Sequence, residues 1–142
     1  MIVIDTSVAV KWVVQEAAVH REDQTEIALS LFDRELVAPD CILGEFANAL
    51  FKKVQRGEIG MDQARQAVDI LPQIIEFVPS APLVPAALEW AHVLAHPVHD
   101  CLFLTLAIQN GLLLVTADEK FVDRCDRHAD VLPIRTLHSI DR

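Results

Sequence analysis

The chain is poor in several residue types whose absence narrows the classes of protein it can belong to. Its three cysteines are odd in number and show no CxxC spacing, so neither a disulfide framework nor a cysteine zinc site is expected. We interpret Cys41, Cys101 and Cys125 as small buried residues of a protein in a reducing compartment. There is no tyrosine and there are only two tryptophans, which gives little support for base stacking on aromatic side chains.

Positive charge is also scarce, since 12 basic residues face 21 acidic ones and the net charge is -9. A nonspecific nucleic-acid binder is normally basic, so the composition argues against that class. A nuclease is not excluded, because clustered acids can hold metal ions and those ions then meet phosphate. The acidity also suits a basic protein partner.

No apolar run is long enough to predict a membrane span. The longest uncharged stretch, residues 101–117, is broken by the turn signal Gln109-Asn110-Gly111, which indicates helix, turn and strand. The apolar start of the chain carries Asp5 and Lys11 and shows no basic leader or small-residue cleavage site. We therefore expect a cytoplasmic protein without a signal peptide or membrane partner.

The length and the 52% hydrophobic content predict a single domain, residues 1–142, with strands buried on both faces. The predicted strands are Ile2–Ile4, Val37–Ala38, Phe77–Pro79, Leu112–Thr116 and Val131–Ile134. The predicted helices are Ser7–Val14, His20–Leu36, one from an Asp40 cap to Arg56, Met61–Glu76 with a break or kink at Pro72, Val84–His96, Asp100–Gln109 and Glu119–Arg127. Strands that alternate with helices indicate an α/β fold with a parallel sheet and helices on both faces.

Four acids lie at the edges of the most apolar stretches: Asp5, Glu45, Asp100 and Asp118. A charge beside buried structure costs several kcal/mol unless it is compensated. No Lys or Arg lies beside these acids at a matching position, so a bound divalent cation is the expected compensation. Mg²⁺ and Mn²⁺ prefer such oxygen ligands.

The predicted elements allow the four acids to meet. Asp5 and Asp118 both follow the carboxyl end of a strand, where open α/β sheets bind ligands. Asp100 begins a helix that is expected to run antiparallel to the strand before Asp118. The start of that helix then lies near the carboxyl end of the strand. Ser7 and Thr116 add hydroxyls that suit holding a carboxylate or a metal-bound water.

Glu45 lies on a helix, and Asn48 shares its face because it is three residues further on. Apolar neighbours predict that this face points at the sheet. Helix capping alone explains a single Asp100 or Asp118 as well as a site does. It does not explain Glu45, so the four acids together favour a metal centre.

The residues quoted above carry a resemblance to the PIN-domain ribonucleases, and in size and motif order to the VapC toxins of type II toxin–antitoxin systems. The matching segments, in chain order, are Ile2-Val-Ile-Asp5-Thr6-Ser7, Glu45-Phe-Ala-Asn48, Asp100-Cys-Leu-Phe-Leu-Thr-Leu-Ala107 and Thr116-Ala-Asp118-Glu-Lys-Phe121. They cover nearly the whole chain. Each motif alone is weak, and their combination is specific.

The resemblance implies a three-layer α/β/α domain with a five-stranded parallel sheet and Mg²⁺- or Mn²⁺-dependent endonucleolytic cleavage of RNA. It also implies a homodimer and inhibition by a cognate antitoxin, a VapB-like protein. Asp5, Glu45, Asp100 and Asp118 match the family's metal-binding acids, and Thr116 and Asn48 its supporting polar positions. Asp123 lies where some members carry an additional ligand.

Two further groups of residues, histidines and basic side chains, do not by themselves define a functional site. His92 and His96 have i, i+4 spacing, but no Cys or Glu completes a zinc motif, so we interpret them as a polar helix face; His99 is expected at the rim of the site. Lys52, Lys53 and Arg56 are either contacts to an RNA backbone or a solvated helix end.

The alternative from a different class is a PIN fold that has lost catalysis and only docks a protein or RNA partner. The intact set of four acids argues against it, and the sequence alone leaves it open.

Overall fold

The structure, a computed structural model, describes residues 1–13 and 30–140. Its five strands are all parallel and form one sheet in the order β3-β2-β1-β4-β5. The strands are β1 (Ile2–Ile4), β2 (Leu36–Pro39), β3 (Ile75–Val78), β4 (Leu114–Thr116) and β5 (Ile134–Thr136). The chain adds strands on one side of β1 and then crosses to β4 on the other, so strand order reverses between β1 and β4. This is the place where such sheets bind ligands.

Helices connect the strands and give the three-layer α/β/α architecture that was predicted. In the described ranges they are α1 (Thr6–Lys11), α2 (Ile42–Gln55), α3 (Met61–Ile74), α4 (Val84–Leu94), α5 (Val98–Asn110) and α6 (Glu119–Asp126), with 3₁₀ turns at Leu31–Asp33, Ala81–Leu83 and Leu137–Ser139.

The core is built around β1, β4 and α5. Every residue from Cys101 to Ala107 on α5 is buried, as expected for a helix that is apolar on all sides and packed inside the protein. This helix packs against α4 and against β1 and β2. Cys101 and Cys125 are buried, as predicted, whereas Cys41 is half-buried.

Several predicted boundaries are wrong. The third and last strands, predicted over Phe77–Pro79 and Val131–Ile134, are Ile75–Val78 and Ile134–Thr136. The helix expected over His20–Leu36 ends early, because Leu36 begins β2; its part over residues 20–29 lies outside the described residues. Asp40 does not cap α2, since its Oδ1 instead accepts a hydrogen bond of 3.1 Å from the Ser80 backbone. Of the predicted break or kink at Pro72, the break is wrong, because α3 continues to Ile74.

In the described ranges, no single helix has both the length and the apolar character needed to cross a membrane. One pair, Ala81–Leu94 with Val98–Asn110, passes on length and composition when joined, and it is bent by 112°.

Candidate metal centre

Asp5 lies at the end of β1, where two hydroxyls and a backbone amide hold its carboxylate. The register pairs Ile4 with Val115, so Thr116 at the end of β4 lies beside Asp5. The Thr116 hydroxyl donates to Asp5 Oδ2, and the Ser7 hydroxyl donates to Oδ1 over 2.5 Å. The Val8 amide donates to the same Oδ1 over 3.3 Å, which makes Asp5 the N-cap of α1. These three hydrogen bonds fix the carboxylate of Asp5. The residue is only 7% exposed.

The same two hydroxyls tie Asp118 to this arrangement. The Asp118 amide donates to Thr116 Oγ1 over 3.0 Å, and the Ala117 amide donates to Ser7 Oγ over 2.9 Å. Asp118 then caps α6, because its Oδ1 accepts from the Phe121 amide over 3.2 Å. The structure thus brings the predicted Ser7 and Thr116 directly to the two strand-end acids.

The remaining two acids come from helices. Asp100 and Glu45 both lie in the first turn of their helices, α5 and α2. The Thr6 hydroxyl donates to Glu45 Oε2 over 3.3 Å. Since Asp5 and Asp118 are N-caps, all four acids lie at helix N-termini, where the helix dipole favours negative charge. We call Asp5, Glu45, Asp100 and Asp118 the carboxylate cluster.

The charge of Asp100 affects the pKa of Asp5, another acid of the carboxylate cluster. Burial raises the pKa of Asp5 to about 6, hydrogen bonds from Ser7, Thr116 and Val8 oppose that rise, and the charge of Asp100 adds to it. Repulsion between carboxylates weakens with distance, so Asp5 and Asp100 belong to the same region of the molecule.

Burial also raises the pKa of Glu45, against the hydrogen bond from Thr6 and the nearby His99, and Asp100 raises it further. The charge of Asp100 therefore raises the pKa of both Asp5 and Glu45. The influence of His99, which is exposed, places it beside Glu45, as expected for a residue at the rim.

His96 is the residue of this site whose position the sequence interpretation missed. It is not on the polar face of α4, because that helix ends at Leu94 and is followed by Ala95, whose φ of 52° is left-handed. His96 turns inward, is 8% exposed, and places Nε2 2.6 Å from Asp100 Oδ2. Ligand atoms of His96, Asp100 and Asp118 all lie within 4.8 Å of one another. The available signal was Pro97, since a residue before proline rarely stays helical.

The carboxylate cluster has the chemistry of a site for a hard divalent cation. Its donors are carboxylate oxygens, which Mg²⁺ and Mn²⁺ prefer. Within residues 1–13 and 30–140, no Lys or Arg forms an ion pair with any of the four acids, and the histidine that contacts one of them is His96, at Asp100. Buried and half-buried negative charge without a cationic side chain fits a bound metal ion.

Two further predicted site residues are exposed. Asn48 is exposed, because the buried face of α2 is formed by Ile42, Phe46 and Leu50 rather than by Glu45 and Asn48. The expectation that this face points at the sheet is therefore wrong for Asn48, while Glu45 is half-buried. Asp123 is exposed on α6. The group of close ligand atoms, His96, Asp100 and Asp118, includes neither Asp123 nor Asp5 and Glu45.

The basic residues at the end of α2 have acidic neighbours. Lys53 and Arg56 lie 3.2 and 3.8 Å from the carboxylate of Glu58, which suits a solvated helix end. Lys52 is exposed.

Comparison with known proteins identifies the family. A family model of the PIN domain matches residues 2–126, and the chain belongs to this family. The curated protein Ribonuclease VapC1 of Mycobacterium tuberculosis, from strains CDC 1551 / Oshkosh and ATCC 25618 / H37Rv, is 34% identical over 85 residues. That match covers 58% of this chain and 62% of the relative, so the chain spans about three fifths of the length of the curated proteins it matches.

Solved structures share the fold at lower identity. PAE2754 from Pyrobaculum aerophilum aligns with a TM-score of 0.71 and 16% identity, over 97% of this chain and 90% of that one. VapC20 from M. tuberculosis, described as a sarcin–ricin loop cleaving toxin, aligns with a TM-score of 0.65 and 19% identity. The alignment covers 94% of this chain and 100% of that one. VapBC2 from Rickettsia felis, bound to a promoter DNA fragment, aligns with a TM-score of 0.60 and 16% identity. The alignment covers 96% of this chain and 98% of that one.

Proposed function

We propose that this protein is a Mg²⁺- or Mn²⁺-dependent endoribonuclease and the toxin of a toxin–antitoxin pair. The observation that carries the proposal is the carboxylate cluster at the point where strand order reverses, with no Lys or Arg paired to it in the described residues. The similarity to Ribonuclease VapC1 supports the choice of reaction.

Asp5, Glu45, Asp100 and Asp118 are the residues proposed to hold the ion. When bound, the ion supplies positive charge that binds a phosphodiester oxygen and lowers the pKa of a water molecule. The chain's own contribution is to fix the ligands. Ser7 and Thr116 orient the Asp5 carboxylate, and the start of α6 orients that of Asp118.

The proposed partners are an RNA substrate, a VapB-like antitoxin and a second copy of the chain in a homodimer. The solved VapBC2 assembly supports the antitoxin by analogy of fold. The net charge of -9 suits a basic antitoxin segment. A cytoplasmic location, a single domain over residues 1–142, a supporting role for Asn48 and an additional ligand at Asp123 stay predictions.

The proposal is tested by incubating total cellular RNA with the purified protein in Mg²⁺ or Mn²⁺, in EDTA, and as an Asp5→Asn variant. We expect discrete fragments that require both the metal and Asp5. Full cleavage by Asp5→Asn or in EDTA contradicts the proposal. No cleavage by the folded, antitoxin-free protein favours a PIN fold that docks a partner without catalysis.

A further inference from the structure

His96 connects two elements that meet at the carboxylate cluster. Its ring lies flat against Phe121 of α6, with ring centroids 4.2 Å apart and planes inclined by 1°. Its two nitrogens have different partners, Arg124 at Nδ1 and Asp100 at Nε2. The ring is therefore held in one orientation by a stacking contact and by a partner at each of its two nitrogens.

The partner at Nδ1 determines where the ring carries its proton. Arg124 Nη1 lies 3.1 Å from His96 Nδ1 and also donates to the carbonyl of Ala95. A guanidinium N–H is always a donor, so Nδ1 is the acceptor. The proton is then on Nε2, which donates to Asp100 Oδ2 over 2.6 Å.

This geometry argues against His96 as a direct metal ligand. A ligating nitrogen must present a lone pair to the ion, whereas Nε2 presents a hydrogen to Asp100. The free ligand position at this corner is the second oxygen of Asp100. Metal-ligating carboxylates are commonly hydrogen-bonded by an outer residue that fixes their orientation.

We infer that His96, held by Arg124 and Phe121, is a positioning residue that orients Asp100 for metal binding. Helix α6 then sets two ligands, Asp118 as its own N-cap and Asp100 through His96. The inference rests on the proposed function to the extent that the carboxylate cluster binds a divalent cation.

The test compares Mn²⁺ binding by calorimetry in three variants of the full chain. His96→Gln keeps an N–H donor near the position of Nε2, while His96→Phe keeps a ring against Phe121 and removes the donor. His96→Ala removes both. We expect the Mn²⁺ dissociation constant to rise about 10- to 100-fold in His96→Phe and His96→Ala. In His96→Gln we expect a dissociation constant much closer to that of the wild type.

The matched control is His92→Ala, which removes an exposed histidine from α4 and is expected to bind Mn²⁺ as the wild type does. A purely structural role gives the opposite ranking, with His96→Phe near wild type and His96→Gln impaired, and overturns the inference. Direct ¹⁴N coupling from His96 to bound Mn²⁺ in pulsed electron paramagnetic resonance also overturns it.

A second readout needs no metal. Long-range ¹H–¹⁵N correlation spectra of the metal-free protein report which nitrogen of His96 is protonated. We expect the Nε2–H form, and we expect Arg124→Ala to reduce that preference. A protonated Nδ1 in the wild type overturns the inference.

The two proposals fail differently. Wild-type protein that binds no Mn²⁺ overturns both the metal centre and the role of His96. Binding that is lost in Asp100→Ala but unchanged in His96→Ala overturns the role of His96 alone.

Discussion

Asp5 and Glu45 belong to the same carboxylate cluster, but the chain holds them differently. Asp5 follows a central strand, is buried, and accepts hydrogen bonds from Ser7, Thr116 and a backbone amide. Glu45 is half-buried on α2 and accepts one hydroxyl hydrogen bond of 3.3 Å, with a longer thiol contact from Cys41. The proposed metal centre therefore combines one proposed ligand that is fixed by the sheet with another that has room to adjust.

The largest effect expected from this difference is on RNA cleavage. Asp5→Asn removes a ligand that nothing replaces, because its surroundings are closed. Loss of about 4 kcal/mol of transition-state stabilisation corresponds to about 10³-fold in rate. In Glu45→Gln, water has access to the vacated position, so we expect about tenfold loss at saturating Mn²⁺. Steady-state cleavage rates measured against Mn²⁺ concentration check both values.

Recovery of Asp5→Asn at high Mn²⁺, or irrecoverable loss in Glu45→Gln, would reverse the comparison between the fixed and the adjustable ligand. The matched control is Asp69→Asn, an exposed acid of α3 paired with Arg65, which is expected to leave cleavage unchanged.

The next effect is on the pH dependence of metal-free stability. The folded pKa of Asp5, about 6, lies above its ordinary value of 3.8, so Asp5 favours folding most below pH 3.8 and loses that contribution as pH rises through 6. At about 1.4 kcal/mol per pKa unit, the contribution amounts to about 3 kcal/mol. Asp5→Asn is therefore expected to be more stable than the wild type at pH 8 in EDTA, with the difference shrinking toward pH 4.

Urea unfolding of both proteins at several pH values between 4 and 8 measures this difference in unfolding free energy. A constant difference across the range would mean that Asp5 is not destabilised by its burial. Added Mn²⁺ is expected to reverse the order at pH 8, because only the wild type retains all four ligands.

A smaller effect is expected from the hydroxyl that joins the two strand-end acids. Thr116→Val keeps the shape of the side chain but leaves the Asp118 amide and one oxygen of Asp5 without this partner. Leaving buried polar groups unsatisfied costs about 1–3 kcal/mol. Thr116→Ser, which keeps the hydroxyl, is the control. Equal unfolding free energies for the Val and Ser variants would show that the hydroxyl does not hold the site.

The smallest effect is expected at Asn48, which shares a helix with Glu45 but is exposed. Asn48→Ala is expected to change the unfolding free energy by less than about 0.5 kcal/mol, as surface substitutions usually do. Thermal unfolding measures this value. A cleavage defect in a variant of unchanged stability would instead support a direct role of Asn48 with the substrate.

The strand-end acids were predictable from the sequence because a parallel sheet sends the carboxyl ends of its strands to one edge. Asp5 and Asp118 follow apolar strands, so their meeting required only that β1 and β4 be neighbours, as the sheet confirms. The hydroxyls of Ser7 and Thr116 followed by proximity.

The helix-borne residues were harder to place, because a small error in helix phase or end moves a side chain to another face. Asn48 was expected on the buried side of α2 and is exposed. Because successive residues differ by about 100° around a helix, residues three apart do not point in the same direction. His96 depended on a left-handed residue that is not glycine, Ala95, which no sequence rule for helix ends favours.

The hydrogen bond between Thr116 and Asp5 spans 111 positions of the chain. During synthesis at about 5–20 residues per second, the codons between them take roughly 6–22 s to translate. A nascent chain that has completed β1, β2 and β3 still lacks β4, and with it the partner that fixes Asp5. The carboxylate cluster is therefore assembled only when most of the polypeptide has been made, and premature termination before β4 yields a product without it.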